Sequence, residues 1–114
     1  MTWTSKNSIS PEAEYLYRQA RDKIDDGEYQ HAVAILHQAV EITPQYLQAL
    51  IEIGNCLDYL SQYDDAVSYY EKVIAADPFH AEAWFNKGMS LKKMGRDNEA
   101  LPCIERGIEL YCGR

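Results

Sequence analysis

The feature that most constrains this fold is a 34-residue interval that recurs through almost the whole chain. Three series of glycine, serine, alanine or proline share this interval. The series are Gly27, Ser61 and Gly95, then Ala32, Ala66 and Ala100, then Pro44 and Pro78. Because independent series are unlikely to share one period by chance, internal repeats dominate the sequence. The repeats divide it into blocks 13–46, 47–80 and 81–114.

Each block is predicted to hold two antiparallel helices joined by a tight turn. Gly27 and Gly95 suit the left-handed conformation that ends many helices. Pro44 and Pro78 cannot continue the second helix of a block, so they mark the turn into the next block. Short connections make successive helices antiparallel neighbours.

Residues 1–12 are polar and aperiodic, and we expect them to lie outside the repeats as a lead-in to one domain, 13–114. Ser10 and Pro11 end this lead-in with a helix-start signal, an N-cap serine followed by a proline at the first helical position. Trp3 either covers the first helix or belongs to a disordered lead-in. The sequence leaves both alternatives open.

The periodic positions resemble the tetratricopeptide repeat, a 34-residue helix–turn–helix unit with large and small residues at fixed places. In the first helix, the large, small and large positions are Leu16, Ala20 and Lys23; Leu50, Gly54 and Leu57; Trp84, Gly88 and Leu91. In the second helix, the matching positions are Ala32, Leu36 and Ala39; Ala66, Tyr70 and Val73; Ala100, Ile104 and Gly107. The resemblance implies an all-α fold, a right-handed α-solenoid of three antiparallel helix–turn–helix hairpins.

Three positions depart from the pattern. Lys23 replaces a large apolar residue, so either the first repeat is looser there or the lysine stem lies along the surface. Asp97 stands where the other blocks have Tyr29 and Tyr63. Pro102 falls inside the last helix, which is therefore expected to bend or to begin later than its counterparts.

Composition excludes several classes of function. A net charge of −7 disfavours nucleic acid as a partner, because that binding needs a basic face. The chain has neither an apolar run of about 20 residues nor a signal-peptide pattern, so no membrane association is expected and a cytoplasmic location is the default. Cys56, Cys103 and Cys112 lack CxxC spacing and are expected to be reduced thiols, although one disulfide is compatible with their number.

The sequence contains no motif for catalysis, a cofactor or a metal. It has no glycine-rich phosphate loop, no nucleophile elbow and no HExxH. His31 and His37 fall on different faces of a helix. His37 and Glu41 share a face, but two ligands do not make a closed metal site. We therefore predict a non-enzymatic protein that needs no cofactor.

The resemblance also implies where a partner binds. In this family the first helices line a concave groove that holds peptides or partner helices, so a protein–protein interaction module is predicted. The residues predicted to line the groove are Tyr17, Arg21, Ile24, Gln48, Ile51, Asn55, Asp58, Tyr59, Glu82, Phe85, Met89, Lys92 and Lys93. Ile51, Phe85 and Met89 are expected to be exposed together, and such patches usually mark contacts. Plain solvent exposure is the alternative, above all for Lys92 and Lys93.

One subclass of the family is not matched. Its chaperone-binding members hold a partner's C-terminal carboxylate with lysine, asparagine, asparagine, lysine and arginine. The corresponding residues here are Tyr17, Arg21, Glu52, Glu82 and Asn86. None agrees in type, and Glu52 and Glu82 would repel a carboxylate. The sequence therefore predicts a groove that is not a carboxylate clamp.

A second hypothesis is self-association. The chain ends with the third block and shows no additional capping helix, whereas solenoids normally close that end with a polar cap. The residues expected on the open face are Leu101, Ile104, Ile108 and Tyr111. This face predicts either an assembly scaffold that forms a homodimer through the C-terminal helix, or one piece of a longer repeat array.

Overall fold

The computed structural model describes residues 8–113, which form an all-α helical repeat solenoid. Trp3 lies outside the described residues. The helices are α1 (Pro11–Asp25), α2 (Tyr29–Ile42), α3 (Leu47–Tyr59), α4 (Tyr63–Ala76), α5 (Ala81–Lys93) and α6 (Asp97–Cys112). Each helix packs against the next along the chain, and α3 also contacts α5. Between Ser8 and Gly113, no helix is long and apolar enough to cross a membrane.

The start of α1 agrees with the sequence signal. Ser10 adopts an extended backbone, and its hydroxyl accepts a hydrogen bond from the amide of Ala13 at 3.1 Å. Pro11 is the first helical residue, where its missing N–H costs nothing.

Of the two alternatives expected from Pro102, the late start of the last helix is wrong, and the bend stays a prediction. Helix α6 begins at Asp97, in register with Tyr29 of α2 and Tyr63 of α4, and it continues through Pro102. Proline removes only the hydrogen bond to the carbonyl of Asn98, near the start of the helix. Asn98 is solvent-exposed, so water can reach that residue.

The three turns between paired helices have the same backbone geometry. Gly27, Ser61 and Gly95 all have a positive φ, between 63° and 78°. The amide of the following residue bonds back five positions in each turn, as in Gln62 to the carbonyl of Leu57 at 2.8 Å. This pattern is a Schellman motif, which favours glycine because a side chain is strained at positive φ. Ser61 carries that strain.

The core is centred on α3. Eight of its residues are buried, against two in α1 and four in α5. Tyr70 of α4 is 1% exposed and lies over Gly54, where an added Cβ would be 2.6 Å from the ring. Trp84 is only partly buried, and its indole N–H donates to the carbonyl of Pro78 at 2.7 Å.

Candidate functional site

Side chains from the first helix of each pair line one hollow of about 480 Å³. Its lining residues are Arg21, Ile24, Glu52, Asn55, Cys56, Asp58, Tyr59, Tyr70, Asn86, Met89 and Lys93. Helices α1, α3 and α5 supply all of them except Tyr70, which comes from α4. We call this feature the first-helix hollow.

A partly buried ion pair connects α1 to α3 across the hollow. Nη1 of Arg21 donates to Oε2 of Glu52 at 2.7 Å. The Glu52 side chain is only 8% exposed, whereas that of Arg21 is 48% exposed. The nearby Glu52 carboxylate raises the pKa of Arg21, which keeps the guanidinium charged. Without this cation, Glu52 would be a buried and uncompensated charge.

Asn55 lies at the centre of the hollow and connects three helices. Its Oδ1 accepts hydrogen bonds from the hydroxyl of Tyr70 at 2.7 Å and from Nδ2 of Asn86 at 3.0 Å. Its own Nδ2 makes a long contact of 3.5 Å with Oε1 of Glu52. Burial raises the pKa of Tyr70, so this phenol remains a neutral hydrogen-bond donor.

A second polar connection joins α3 to α5. Asp58 accepts a hydrogen bond from the Ser90 hydroxyl at 2.9 Å through Oδ1, and one from Nζ of Lys93 at 2.6 Å through Oδ2. The Asp58 side chain is 18% exposed and that of Lys93 is 44% exposed. In both ion pairs, therefore, the acid lies deeper than the base.

Aromatic rings lie around the hollow. Tyr59 is 67% exposed and stacks on Tyr29, with ring centroids 4.7 Å apart. Nζ of Lys93 lies 5.8 Å from the centre of the Tyr63 ring. Exposed aromatic surface of this kind is typical of partner-binding sites, where a rigid ring offers apolar area at low entropic cost.

Seven of the thirteen predicted groove residues line the hollow: Arg21, Ile24, Asn55, Asp58, Tyr59, Met89 and Lys93. Tyr17 lies outside the lining and packs on Tyr46, with ring centroids 5.2 Å apart. Burial raises the pKa of Tyr17, whereas Gln48, which also lies outside the lining, acts to lower it. Glu82 does not line the hollow either, but its charge contributes to the raised pKa of Tyr70.

The expectation that Ile51, Phe85 and Met89 are exposed together is wrong. Ile51 is completely buried, because α3 is covered by helices on both sides. Phe85 lies against Gly107 of α6, where an added Cβ would be 2.8 Å from the Cβ of Phe85. Lys92 lines another hollow, beside Leu101.

Four lining residues were missed as groove residues by the sequence argument: Glu52, Cys56, Tyr70 and Asn86. Glu52 and Asn86 carried a usable signal, because both occupy a repeat position already compared with the carboxylate clamp. A carboxylate between Ile51 and Ile53 requires a basic or hydrogen-bonding partner when it is buried. Charged groups with such partners often lie in functional clefts. Burial raises the pKa of the Cys56 thiol to about 11, which makes it a poor nucleophile.

The predicted self-association residues are not equivalent in the structure. Leu101, Ile108 and Tyr111 are exposed by 57%, 48% and 66%. Ile104 is half-buried and faces α5, where its Cγ1 would be 2.5 Å from a Cβ added to Gly88. In the part of the chain from residue 8 to residue 113, no three potential metal ligands cluster.

Sequence profiles described as tetratricopeptide repeat match residues 47–80 and 69–101. An uncharacterized protein, MJ0572, of Methanocaldococcus jannaschii is 38% identical over 63 residues, which cover 55% of this chain and 69% of that protein. Human tetratricopeptide repeat protein 28 is 26% identical over 100 residues, which cover 80% of this chain and 4% of that protein.

Solved structures share the fold. The Sgt2 tetratricopeptide repeat domain from Aspergillus fumigatus superposes with a TM-score of 0.88 at 24% identity, covering 96% of this chain and 72% of that one. MamA AMB-1 superposes with a TM-score of 0.83 at 23% identity, covering 91% of this chain and 62% of that one. The chain thus spans about three-fifths of the MamA chain and a small part of the human protein.

The profile matches, the 34-residue period and the paired helices agree with one another. The chain belongs to the tetratricopeptide repeat family, whose members are protein-interaction modules.

Proposed function

We propose that the first-helix hollow binds an extended or helical segment of a partner protein and that the chain acts as a non-enzymatic interaction module. The observation that carries this proposal is the hollow itself, about 480 Å³ in volume and lined from α1, α3 and α5. A single segment lying across it would contact all three helix pairs. Concave sites with apolar walls and a few fixed polar groups are typical of binding sites.

The lining gives such a segment both apolar and polar contacts. Ile24, Tyr59 and Met89 offer apolar surface, and Tyr59 is the most exposed of them. Asn86 donates one amide hydrogen to Asn55, which leaves its other donor and its carbonyl for a ligand backbone. We infer that an apolar side chain of the partner enters the hollow while its backbone bonds to Asn86.

The charges in the hollow argue against a carboxylate-clamp mode. Arg21 and Lys93 already pair with Glu52 and Asp58, so neither cation is available to a carboxylate without separating an ion pair. Glu82 adds a further negative charge near the centre. A partner's terminal carboxylate would therefore lose its hydration without gaining a free donor.

A peptide-display selection tests the proposal. Random 12-residue peptides are selected on the full chain, and the best binders are measured by fluorescence anisotropy against Met89→Glu. A charge placed on the apolar wall should weaken binding by about tenfold or more, which is about 1.4 kcal/mol. Tyr15→Glu, on an exposed residue of α1 outside the hollow, is the matched control and should bind normally.

A second readout identifies the site directly. Selected peptides should shift the amide resonances of Asn55, Tyr59 and Asn86 more than those on the outer faces of α2 and α4. Peptides that bind native protein and Met89→Glu equally well, and whose shifts fall on α2 or α4, would show that the binding site is elsewhere.

A second candidate function is dimerization through α6, and one observation favours it. Leu101 and Ile108 occupy the repeat positions of Val67 and Ile74 in α4, and Val67 is only 8% exposed beside the following helix. Helix α6 therefore presents an apolar face of the kind that a following helix covers. This supports a second copy of the chain as the partner for this face.

The opposite end of the solenoid exposes polar side chains of α1 beside Tyr15, which restricts how two copies would pair. Gln19 and Asp22 are exposed on α1, whereas their counterparts Ile53 and Cys56 in α3 are 0% and 1% exposed. Head-to-tail stacking would bury Gln19 and Asp22 against apolar α6, which is costly. An arrangement of α6 against α6 avoids that cost and closes at two copies.

Sedimentation equilibrium tests this candidate. The mass should rise from 13.1 kDa to twice that value with concentration, and Leu101→Glu with Ile108→Glu should hold it at 13.1 kDa. Tyr15→Glu, at the other end, should leave the dimer intact. A native chain that remains monomeric at all concentrations, or a dimer that survives the double variant, rules the candidate out.

A further inference from the structure

The two ion pairs of the first-helix hollow are arranged unevenly. Glu52 is 8% exposed and Asp58 is 18% exposed, but Arg21 and Lys93 are 48% and 44% exposed. The acids belong to α3, the helix buried on both sides, and they are held by further contacts from Asn55 and Ser90. The bases are long, half-solvated side chains that can turn into solvent when another cation takes their place beside the acid.

Glu52 also has bonding capacity that its present partner does not use. Arg21 bonds only to Oε2, through one nitrogen, at 2.7 Å. The other oxygen, Oε1, has only the 3.5 Å contact with Asn55. A carboxylate accepts a guanidinium most favourably through both oxygens at once, in two parallel bonds. The site therefore holds a buried carboxylate whose second oxygen makes only a long contact, with Asn55, among the described residues.

Three carboxylates lie close enough to the hollow to act on Tyr70, which lines it. Burial is the main cause that raises the pKa of Tyr70, and the charges of Asp58, Glu82 and Glu52 raise it further, while Ser90 acts to lower it. The whole chain carries a net charge of −7, which attracts cations and repels anions at a distance. Local geometry and the long-range field thus favour the same class of ligand.

We propose that the partner segment is basic and that one of its arginine or lysine side chains binds the Glu52 carboxylate, displacing Arg21 into solvent. This inference rests on the proposed function of the hollow and specifies its ligand. The incoming cation replaces Arg21, so the charge balance at Glu52 is kept. Arginine gains most, because its planar fork can bond to both carboxylate oxygens. An apolar neighbour of that side chain would lie against Ile24 and Met89, which line the same hollow.

The test uses display-selected 12-residue peptides and their citrulline analogues. Citrulline keeps the shape of arginine but carries no charge. We expect the selected peptides to be enriched in arginine and lysine, and replacement of the key arginine by citrulline to weaken binding to the native chain by about tenfold to a hundredfold. On Glu52→Gln the same replacement should have little effect, because the interaction is already lost.

Arg21→Gln separates a basic ligand from an acidic one by the sign of its effect. A basic segment competes with Arg21, so its affinity should be unchanged or higher in this variant. An acidic segment would use Arg21, so its affinity should fall. Circular dichroism at the assay temperature checks that Arg21→Gln and Glu52→Gln are folded.

The outcomes are distinct for the proposed function and for this inference. Because a new carboxylate in the hollow would also attract a basic segment, the neutral Met89→Gln replaces Met89→Glu in this comparison. Peptides that lose affinity for Met89→Gln but tolerate citrulline, or that bind Arg21→Gln more weakly, would overturn the basic-ligand inference and leave the groove function standing. Peptides that are indifferent to Met89→Gln would overturn both. Binding of basic peptides should also weaken as salt is raised from low to physiological concentration.

Discussion

Helices α1 and α3 hold the same place in successive repeats, yet they are buried very differently. In α3, Ala49, Ile53 and Cys56 are at most 1% exposed, because α2 and α4 cover opposite sides of the helix. Gln19, the counterpart of Ile53, is exposed, because among the described helices α1 packs mainly on α2 and meets α3 through the Arg21–Glu52 ion pair. The repeat period therefore specifies a helix at both places, while the neighbouring helices decide how much of each helix is core.

The largest expected effect on stability comes from truncating the side chain at the repeat position that Ile53 and Gln19 share. Ile53→Ala should lower the free energy of unfolding by about 2–5 kcal/mol, because it leaves a cavity in a completely covered helix. Gln19→Ala should change it by less than about 0.5 kcal/mol, as expected for an exposed residue. Urea unfolding of both variants measures the difference, and equal losses would contradict the comparison.

A smaller effect is expected where each first helix meets its own second helix. The Cβ introduced by Gly54→Ala would lie 2.6 Å from the ring of buried Tyr70, so overpacking should cost about 1–3 kcal/mol. In the first repeat the corresponding pair is Ala20 with Leu36, and both are completely buried. Combining Gly54→Ala with Tyr70→Leu copies that pair and should cost less than the sum of the two single changes.

The double-mutant cycle from denaturant melts tests this packing relation. Coupling between the two positions should favour the double variant, because the smaller leucine removes the clash. If the stability losses of the two single variants simply add up in the double variant, the size of residue 54 does not depend on the size of residue 70.

The turn after α1 has glycine at the position where the turn after α3 has serine. We therefore expect exchanges of these two residues to change stability in opposite directions. Ser61 has φ 63° and Gly27 has φ 77°, so the same left-handed backbone carries a side chain in only one of them. Ser61→Gly should therefore raise stability by about 1 kcal/mol, and Gly27→Ser should lower it by a similar amount. Thermal melts should move in opposite directions, and a loss of stability in Ser61→Gly would refute the strain.

The smallest effect concerns the thiols. Cys56 on covered α3 is 1% exposed, and burial raises its pKa from 9.0 to about 11, whereas Cys112 is exposed. At pH 8, a thiol reagent should label Cys112 quickly and Cys56 only after unfolding. Rapid modification of Cys56 in the native chain would contradict its placement in the core.

The same thiol gives a pH dependence with a defined sign. The unfolded chain ionises Cys56 at a lower pH than the folded chain does, because the folded pKa is raised. The contribution of Cys56 to the free energy of unfolding is therefore complete below about pH 9, and it is lost as the pH rises from about 9 to about 11. Cys56→Ala should reduce the slope in that window.

The sequence by itself determined the helices and the turns between them. Spaced small residues predicted the helix pairs, and Gly27 and Gly95 predicted the left-handed turns, because these features depend on local backbone geometry. The late start of α6 that Pro102 suggested is wrong, because a proline near the start of a helix removes little.

Only the tertiary structure decided which side chains meet. It buried Ile51, placed Phe85 against Gly107, and brought Asn86 and Tyr70 to Asn55. The physical reason is that the repeat period places residues within one helix pair, whereas the hollow depends on how α1, α3 and α5 lie beside one another. Side chains distant in sequence set that arrangement through packing and the ion pairs between helices.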